Sequence, residues 1–557
     1  MFIKSQLASR LNTNYVPSDA EVQEIRNTLT EPLRQLSLLD ERLVQMQAAM
    51  DELTVQRASL KDEIDQHKAL ISPVRRIPQD ILEEIFLSCL PTRQYMLIDA
   101  RQAPLLLGHI CRHWRAISHS IPRLWASLHI PWTTPVVDRV LQAPVPVSGF
   151  AEVIHGWLGR SGSMPQSLSI AFRETLPIEP IWQPLMAVFG RVHRLELLVG
   201  LKDDVGSDSD GFGDDLPEER VNDTLALLMG CRADDFPCLE SLRISAMEDF
   251  GQTYWHDSEL LQVFSLRRVS LEIRALSPTK LPLQWAELTE LDLYCEEVCV
   301  SVLADFDGGL TAQDVLDIIG RCTKLVKCRL RITSSSLSSF NGNSTTAPIL
   351  QSLVLLDCAM LMIRLAHFLD CLHLPSLHHL ALDPVQGHAS SPPEFLQAVG
   401  KHAQFLTSVD FAISLFSPET LLQFFALVSD LQRLRLRRGP DRNSKTEIDD
   451  GIVRQLTPSP SNAGLCPLLT ELEFERCTAF SDDTLEEFIT ARMTSTRPLE
   501  LVDIDFTRTM QREIWVDPTA GLRLLLKYAN PIPPDRWTYH PREGFSFSSS
   551  SPPRLMV

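Results

Sequence analysis

No run of this sequence approaches the roughly 20 consecutive apolar residues that a membrane-spanning helix needs, so no membrane is expected as a partner. Met1 to Val16 lacks the sustained apolar core of a secretory signal. Positive charge is also in short supply. The 557 residues carry 52 Lys and Arg against 71 Asp and Glu, a net charge of −19. Phosphate backbones are bound by clustered cations, so no nucleic acid is expected as the main ligand. The same balance favours solubility and leaves basic protein surfaces open as partners. A cysteine framework is missing too. The 12 cysteines are scattered, several inside apolar motifs, which fits buried free thiols in a reducing compartment, cytoplasm or nucleus, better than disulfides.

Signatures of chemistry are equally scarce. The phosphate-cradling GxxxxGKS/T loop, GxGxxG and HExxH are all missing. Gly159-Arg160-Ser161-Gly162 is not a Gly-x-Ser-x-Gly elbow and has no His or Asp set beside it. His109 and His113 stand four apart on an expected helix but lack a third ligand, and His378-His379 falls in a strand motif whose neighbours point to opposite faces. Asp208, Asp210 and Gly211 fit three positions of a calcium loop, yet Gly206 and Pro217 occupy its first and last ligand positions. Ser207 and Ser209, between carboxylates, read either as phosphate acceptors or as part of a solvated loop. No catalytic residue, cofactor or metal is expected, and the chain reads as a non-enzyme.

What the sequence does hold is contact-making pattern. A heptad register runs from Val22. Its a positions are Val22, Leu29, Leu36, Leu43, Met50, Arg57, Ile64 and Ile71, and its d positions are Ile25, Pro32, Leu39, Met46, Leu53, Leu60 and His67. Three of these break the apolar seam: Arg57, Pro32 and His67. Pro32 lacks an amide hydrogen, so the clean helix is expected over about 31–70, after a frayed leader 1–20. Two readings of segment 21–72 stand side by side. Either it pairs with a second copy through 31–71, or it folds back on its own domain.

A compact apolar block, 73–131, follows. Ile81, Leu82, Ile85, Phe86, Cys89 and Leu90 recur at helical spacing opposite Asp80, Glu83 and Glu84. After a largely polar connection, helical periodicity resumes over Leu105–His119. Some 55 residues in short helices cannot bury this much apolar surface alone, so the block calls for a partner or neighbouring domain.

Four elements of the block fall in a known order: Ile77-Pro78, Ile85-Phe86, Ile110-Cys111-x-x-Trp114 and Pro122-x-Leu124-Trp125. In this the block resembles an F-box. The opening Leu of that family is Ile77 here, and the connection from Leu90 to Pro104 is longer than in compact members. The heptads before it and the repeats after it look like a large group of fungal F-box proteins. The resemblance implies docking on the Skp adaptor of a cullin–RING ubiquitin ligase of the SCF type. By motif match the adaptor-binding residues are Ile77, Pro78, Ile81, Leu82, Ile85, Phe86, Leu90, Ile110, Cys111, Trp114, Leu124 and Trp125. For each of these apolar residues, internal packing of the block is the competing reading.

Past a Pro/Val-rich joint, 132–164, a repeat appears. Its template, apolar-x-x-apolar-x-apolar, is the strand core of a leucine-rich repeat. It starts at Val192, Leu239, Leu266, Leu288, Leu325, Leu350, Leu377, Leu406, Leu431, Leu469 and Leu499, with an earlier copy at Leu168. Amphipathic stretches lie between the motifs. The expected fold class is therefore α/β: a long coiled-coil-like helix and a three-helix F-box, then a leucine-rich-repeat horseshoe over 165–530 with a parallel sheet. An acidic insert, 202–220, and a Ser/Pro tail, 531–557, are expected to be disordered. The polar x positions should line the exposed sheet face. Glu240, Arg243, Glu290, Asp292, Arg433, Arg435, Glu471 and Glu473 are the candidate substrate surface, with a merely solvated face as the other reading. The function implied is substrate recognition for ubiquitylation. The alternative is a non-catalytic dimeric scaffold that uses the repeat surface without ligase coupling.

Overall fold

The computed structural model describes residues 10–91, 95–132, 147–172, 179–199, 227–246, 255–274, 276–296, 298–299, 306–333, 342–358, 362–384, 393–439, 447–459, 462, 464–514 and 521–528. The acidic insert with Ser207 and Ser209, and the tail 531–557, lie outside them. The chain forms two compact units, Met1–Ile85 and Phe86–Val557.

The first unit is dominated by one helix, α1 (Asp19–Leu70), 52 residues long. Its start is fixed chemically: the Glu21 carboxylate accepts a bond from the Ser18 amide at 2.8 Å. Pro32 sits inside the helix instead of breaking it, against expectation. A proline there deletes one backbone bond at a cost of about 3 kcal/mol. That loss falls on a single turn of a helix already propagating on both sides. The first unit also contains most of α2 (Gln79–Ser88), whose amide at Leu82 bonds to the Pro78 carbonyl at 3.1 Å.

The second unit begins with α3 (Leu105–Ile110) and α4 (Arg112–Ser120). A single helical stretch was expected over Leu105–His119, but Cys111 is fully extended (φ −160°, ψ 167°) and separates the two helices. Its sulfur accepts the Trp114 amide at 3.4 Å, so Cys111 caps α4.

Strand order in the main sheet follows chain order without exception. The strands are β1 (Ser127–Trp132), β2 (Gln166–Phe172), β3 (Val192–Val199), β4 (Ser241–Ala246), β5 (Arg268–Arg274), β6 (Glu290–Glu296) and β7 (Lys327–Arg331), then β8 (Ser352–Cys358), β9 (His379–Pro384), β10 (Ser408–Ala412), β11 (Arg433–Arg437), β12 (Glu471–Glu475), β13 (Leu501–Asp505) and β14 (Arg523–Lys527). Every neighbouring pair is parallel. Each repeat motif of the sequence supplies one strand, so the molecule is a repeat-type α/β protein with a 14-stranded parallel sheet.

Register explains the core. Leu168, Leu195, Leu242, Val269 and Leu291 stand opposite one another from β2 to β6, and Cys328, Leu353, Leu380, Val409, Leu434, Leu472 and Val502 continue the row to β13. All are buried. The links between strands carry α5 (Val147–Arg160), α6 (Glu179–Phe189), α7 (Ala312–Arg321), α8 (Met362–Asp370), α9 (Pro393–Gly400), α10 (Pro418–Leu427), α11 (Asp450–Leu456) and α12 (Asp482–Met493). Their starts are set by short side chains: Thr311, Ser417 and Ser481 accept the amides of Asp314, Thr420 and Thr484 at 3.1, 3.2 and 3.3 Å. The sheet starts inside the block assigned to 73–131, because Ser127–Trp132 pairs with β2 over its whole length. Beyond β1, the backbone amide of His129 bonds to Met96 at 2.8 Å. The long polar connection thus runs along the sheet's first edge and blunts it.

Candidate functional site

Two regions carry the residues singled out by sequence: the short helices that follow α1 and the outward face of the sheet.

In the block, the helical period of α2 separates two sets. Leu82 and Phe86 are buried, whereas Ile81 and Ile85 are 50% and 39% exposed. Ile77 and Leu90 are half-buried and Pro78 is exposed. In the second unit Ile110, the last residue of α3, is 54% exposed. Cys111 is exposed beside it, its sulfur engaged as the α4 cap. Trp114 is half-buried against Phe86, ring centroids 4.9 Å apart.

Leu124 and Trp125 are not surface residues. Trp125 donates its indole N–H to the Ser118 carbonyl at 2.8 Å, meets Trp157 of α5 edge-on at 4.8 Å and lies under the Arg160 guanidinium at 4.7 Å. Trp157 in turn donates to the Ser127 carbonyl at 3.2 Å. The Pro-x-Leu-Trp element therefore joins α4 to α5 and to the first strand. Of the twelve residues matched by motif, Leu82, Phe86, Leu124 and Trp125 are core. Each is buried within its own unit's packing and offers no free surface.

On the sheet, successive residues alternate faces, and the eight candidate residues do reach the outward side or its margin. Each of them already has a partner on a neighbouring strand. Arg243 pairs with Glu196 at 3.5 Å, and Glu240, just ahead of β4, with Arg268 at 3.6 Å. Glu290 pairs with Lys327 at 3.0 Å and Asp292 with Arg329 at 4.0 Å. Burial pushes the Asp292 carboxyl upward, and Arg329 opposes the shift. Further along, Arg433 pairs with Glu471 at 3.0 Å, and Arg435 reaches Glu473 and Glu475, both at 3.4 Å, and Asp410 at 3.8 Å. Arg437 spans Asp410 and Asp383 at 2.6 and 3.0 Å. Burial raises the Glu473 carboxyl, with Arg435 again opposing it.

Sequence inspection missed the other members of these pairs: Glu196, Arg268, Lys327, Arg329, Asp410, Glu475, Arg437 and Asp383. The signal was present, since all of them occupy outward positions of in-frame motifs or follow directly on them. Between the two charged zones, β8 and β9 present Ser352, Val354, His379 and Ala381. His379 shares a 2.9 Å bond with the Ser408 hydroxyl, and burial lowers its pKa. The outward face thus carries two ion-paired ladders separated by Ser352, Val354, His379 and Ala381, with Asp383 at the end of β9 joined to the second ladder through Arg437.

Among the described residues no group of three or more His, Cys, Asp or Glu is arranged to hold a metal ion. No described helix is long and apolar enough to cross a membrane. Cys477 is buried and donates to the Leu436 carbonyl of the preceding repeat at 3.4 Å, its thiol pushed up to about 12 by burial. An open cleft of about 660 Å³ lies by Arg191, His193, Cys238 and Arg267. Arg191 is committed there to the Ser161 hydroxyl and the Met164 and Leu158 carbonyls at 2.8, 2.9 and 3.0 Å. No model of a known protein family matches the chain, and no curated protein matches it.

Proposed function

We propose that the chain is a substrate receptor of an SCF-type ubiquitin ligase, catalysing nothing itself. Its helical block docks on the Skp adaptor, the cullin scaffold is reached through that adaptor, and the sheet captures the protein to be modified inside the cell, in cytoplasm or nucleus. The observation that carries the reading is the sorting of the four-element motif. Phe86, Leu124 and Trp125 are buried, while Ile85 and its α2 neighbour Ile81 in the first unit, and Ile110 in the second, remain exposed at positions where a soluble surface favours polar residues. The sheet supplies the second half: a long, ordered outward face with fixed spacing, suited to recognising a protein surface by shape and charge.

Co-purification tests this. The full chain should retain the Skp adaptor, and the triple variant Ile81→Asp, Ile85→Asp, Ile110→Asp should lose at least about tenfold in affinity while melting like wild type. A wild-type chain that does not retain the adaptor sinks the ligase reading. The scaffold reading, in which the sheet binds partners without ligase coupling, then stands in its place. It is favoured by the apolar stripe along α1.

A further inference from the structure

Nine a and d side chains of α1 between Leu29 and Ile64 are exposed, from 38% at Leu29 to 64% at Leu53. A stripe of this length has no use in water as it stands. We infer that α1 pairs with α1 of a second copy of this chain, forming a parallel, in-register coiled coil.

Length selects the occupant. At about 1.5 Å per residue α1 is roughly 78 Å long. The next longest described helix is α5, with 14 residues, which spans only about 21 Å. A second α1 matches both the length and the heptad period. Area agrees. Burying a large aliphatic side chain removes about 60–120 Å² from water, so nine per chain give a paired interface of roughly 1,000–2,000 Å², the range of stable specific complexes.

Off the stripe, polar side chains of α1 bond along the helix itself, although Leu33, Leu38, Val44 and Val55 are exposed there too. Arg34 pairs with Glu31 at 2.7 Å, and Gln56 and Gln66 bond to Glu52 and Asp62 at 3.2 and 2.8 Å. Leu33, Leu38, Val44 and Val55 are scattered, whereas the a and d side chains form the one continuous apolar stripe of the helix.

Register follows from the two flanks. In the parallel pair Glu63, at a g position, faces Lys68 at the e position of the second copy, an attractive contact. Arg57 meets its own counterpart across the seam. One polar a position of this kind lowers stability and rejects slipped alignments, which would set Arg57 against an apolar side chain. Pairing makes the receptor bivalent: two sheets held on one coil raise the effective concentration of the second for any partner with two binding segments. None of this depends on the ligase reading, since oligomeric state and adaptor retention are scored separately.

Sedimentation equilibrium of the full chain is the test. Wild type should be a dimer at tens of micromolar, roughly the range in which a coil of this area assembles. Leu43→Asp with Met50→Asp should be a monomer with an unchanged melting transition for the sheet. Arg57→Leu should tighten the dimer about tenfold or more. A monomeric wild type overturns the inference, as does a double variant that still dimerises. An Arg57→Leu dimer no tighter than wild type overturns the parallel seam.

Discussion

The carboxylate of Asp482, at the start of α12, is the most heavily bonded buried acid among the described residues. It accepts from Arg508 at 2.6 Å, from the amides of Gln511 and Arg512 at 2.7 and 2.9 Å, and from the Tyr528 hydroxyl at 3.1 Å. Burial works against its ionisation, but the bonds from Arg508, Arg512 and Gln511 outweigh it and hold the carboxyl below its usual range. The sign follows. A depressed folded pKa contributes stability that is present at neutral pH and lost as pH falls through the folded value. Asp482→Asn puts an amide donor against donors, and should cost about 3 kcal/mol at pH 7. Melting temperatures from pH 7 down to about 3 check this: wild type should lose stability more steeply on the acid side than the variant. Parallel curves would mean that Asp482 is not the titrating group. At this scale sequence was blind. Asp482 was legible only as the first residue of a helix, because its partners lie 26 to 46 positions away.

Elements were far more legible. The twelve repeat motifs each became a strand, since a period of two with large apolar residues specifies one buried face regardless of context. Two strands of the main sheet escaped. In β1 the template is complete as Trp125-x-x-Leu128-x-Ile130, but Trp125 had been absorbed into the Pro-x-Leu-Trp element. In β14, Leu524, Leu525 and Leu526 are consecutive and hide the alternation. Pro32 and Cys111 misled in opposite directions: a proline inside a helix that persists, and a helix end without Gly or Pro. The charge ladder could not be read either, because pairing Arg433 with Glu471 requires the register across a 38-residue link. That ladder makes an element-scale prediction. Arg435 is half-exposed and faces Glu473, Glu475 and Asp410, so reversing it gathers four carboxylates. Arg435→Glu should destabilise by about 1 kcal/mol at low salt, and the difference should shrink by more than half at roughly 1 M salt, where the screening length falls to about 3 Å. A salt-independent loss in the melting temperature would point to packing by the arginine stem instead.

For the whole molecule, strict chain-order pairing has a thermodynamic consequence. A strand in this sheet hydrogen-bonds only to the copies before and after it, so stability is close to a sum of unit and nearest-neighbour terms, and opposite ends are weakly coupled. The tryptophans make this measurable. Trp114, Trp125, Trp132, Trp157, Trp182, Trp255 and Trp285 all lie ahead of β6, while beyond it the sequence has only Trp515 and Trp537. A chain with Trp515→Phe and Trp537→Phe therefore fluoresces only from its first half. Asp482 acts at the other end, tying α12 to the segment after β13 and to Tyr528 after β14. In that background Asp482→Asn should split urea unfolding. The far-UV signal should begin to fall at lower urea and over a broader range, while the fluorescence midpoint moves little, because the units around Trp125 and Trp157 do not share a neighbour with β13 and β14. If both signals shift together, the sheet melts as one cooperative body and the nearest-neighbour description fails. If they separate, a lesion at the far end leaves the helices around Trp125 and Trp157 and the first strands folded.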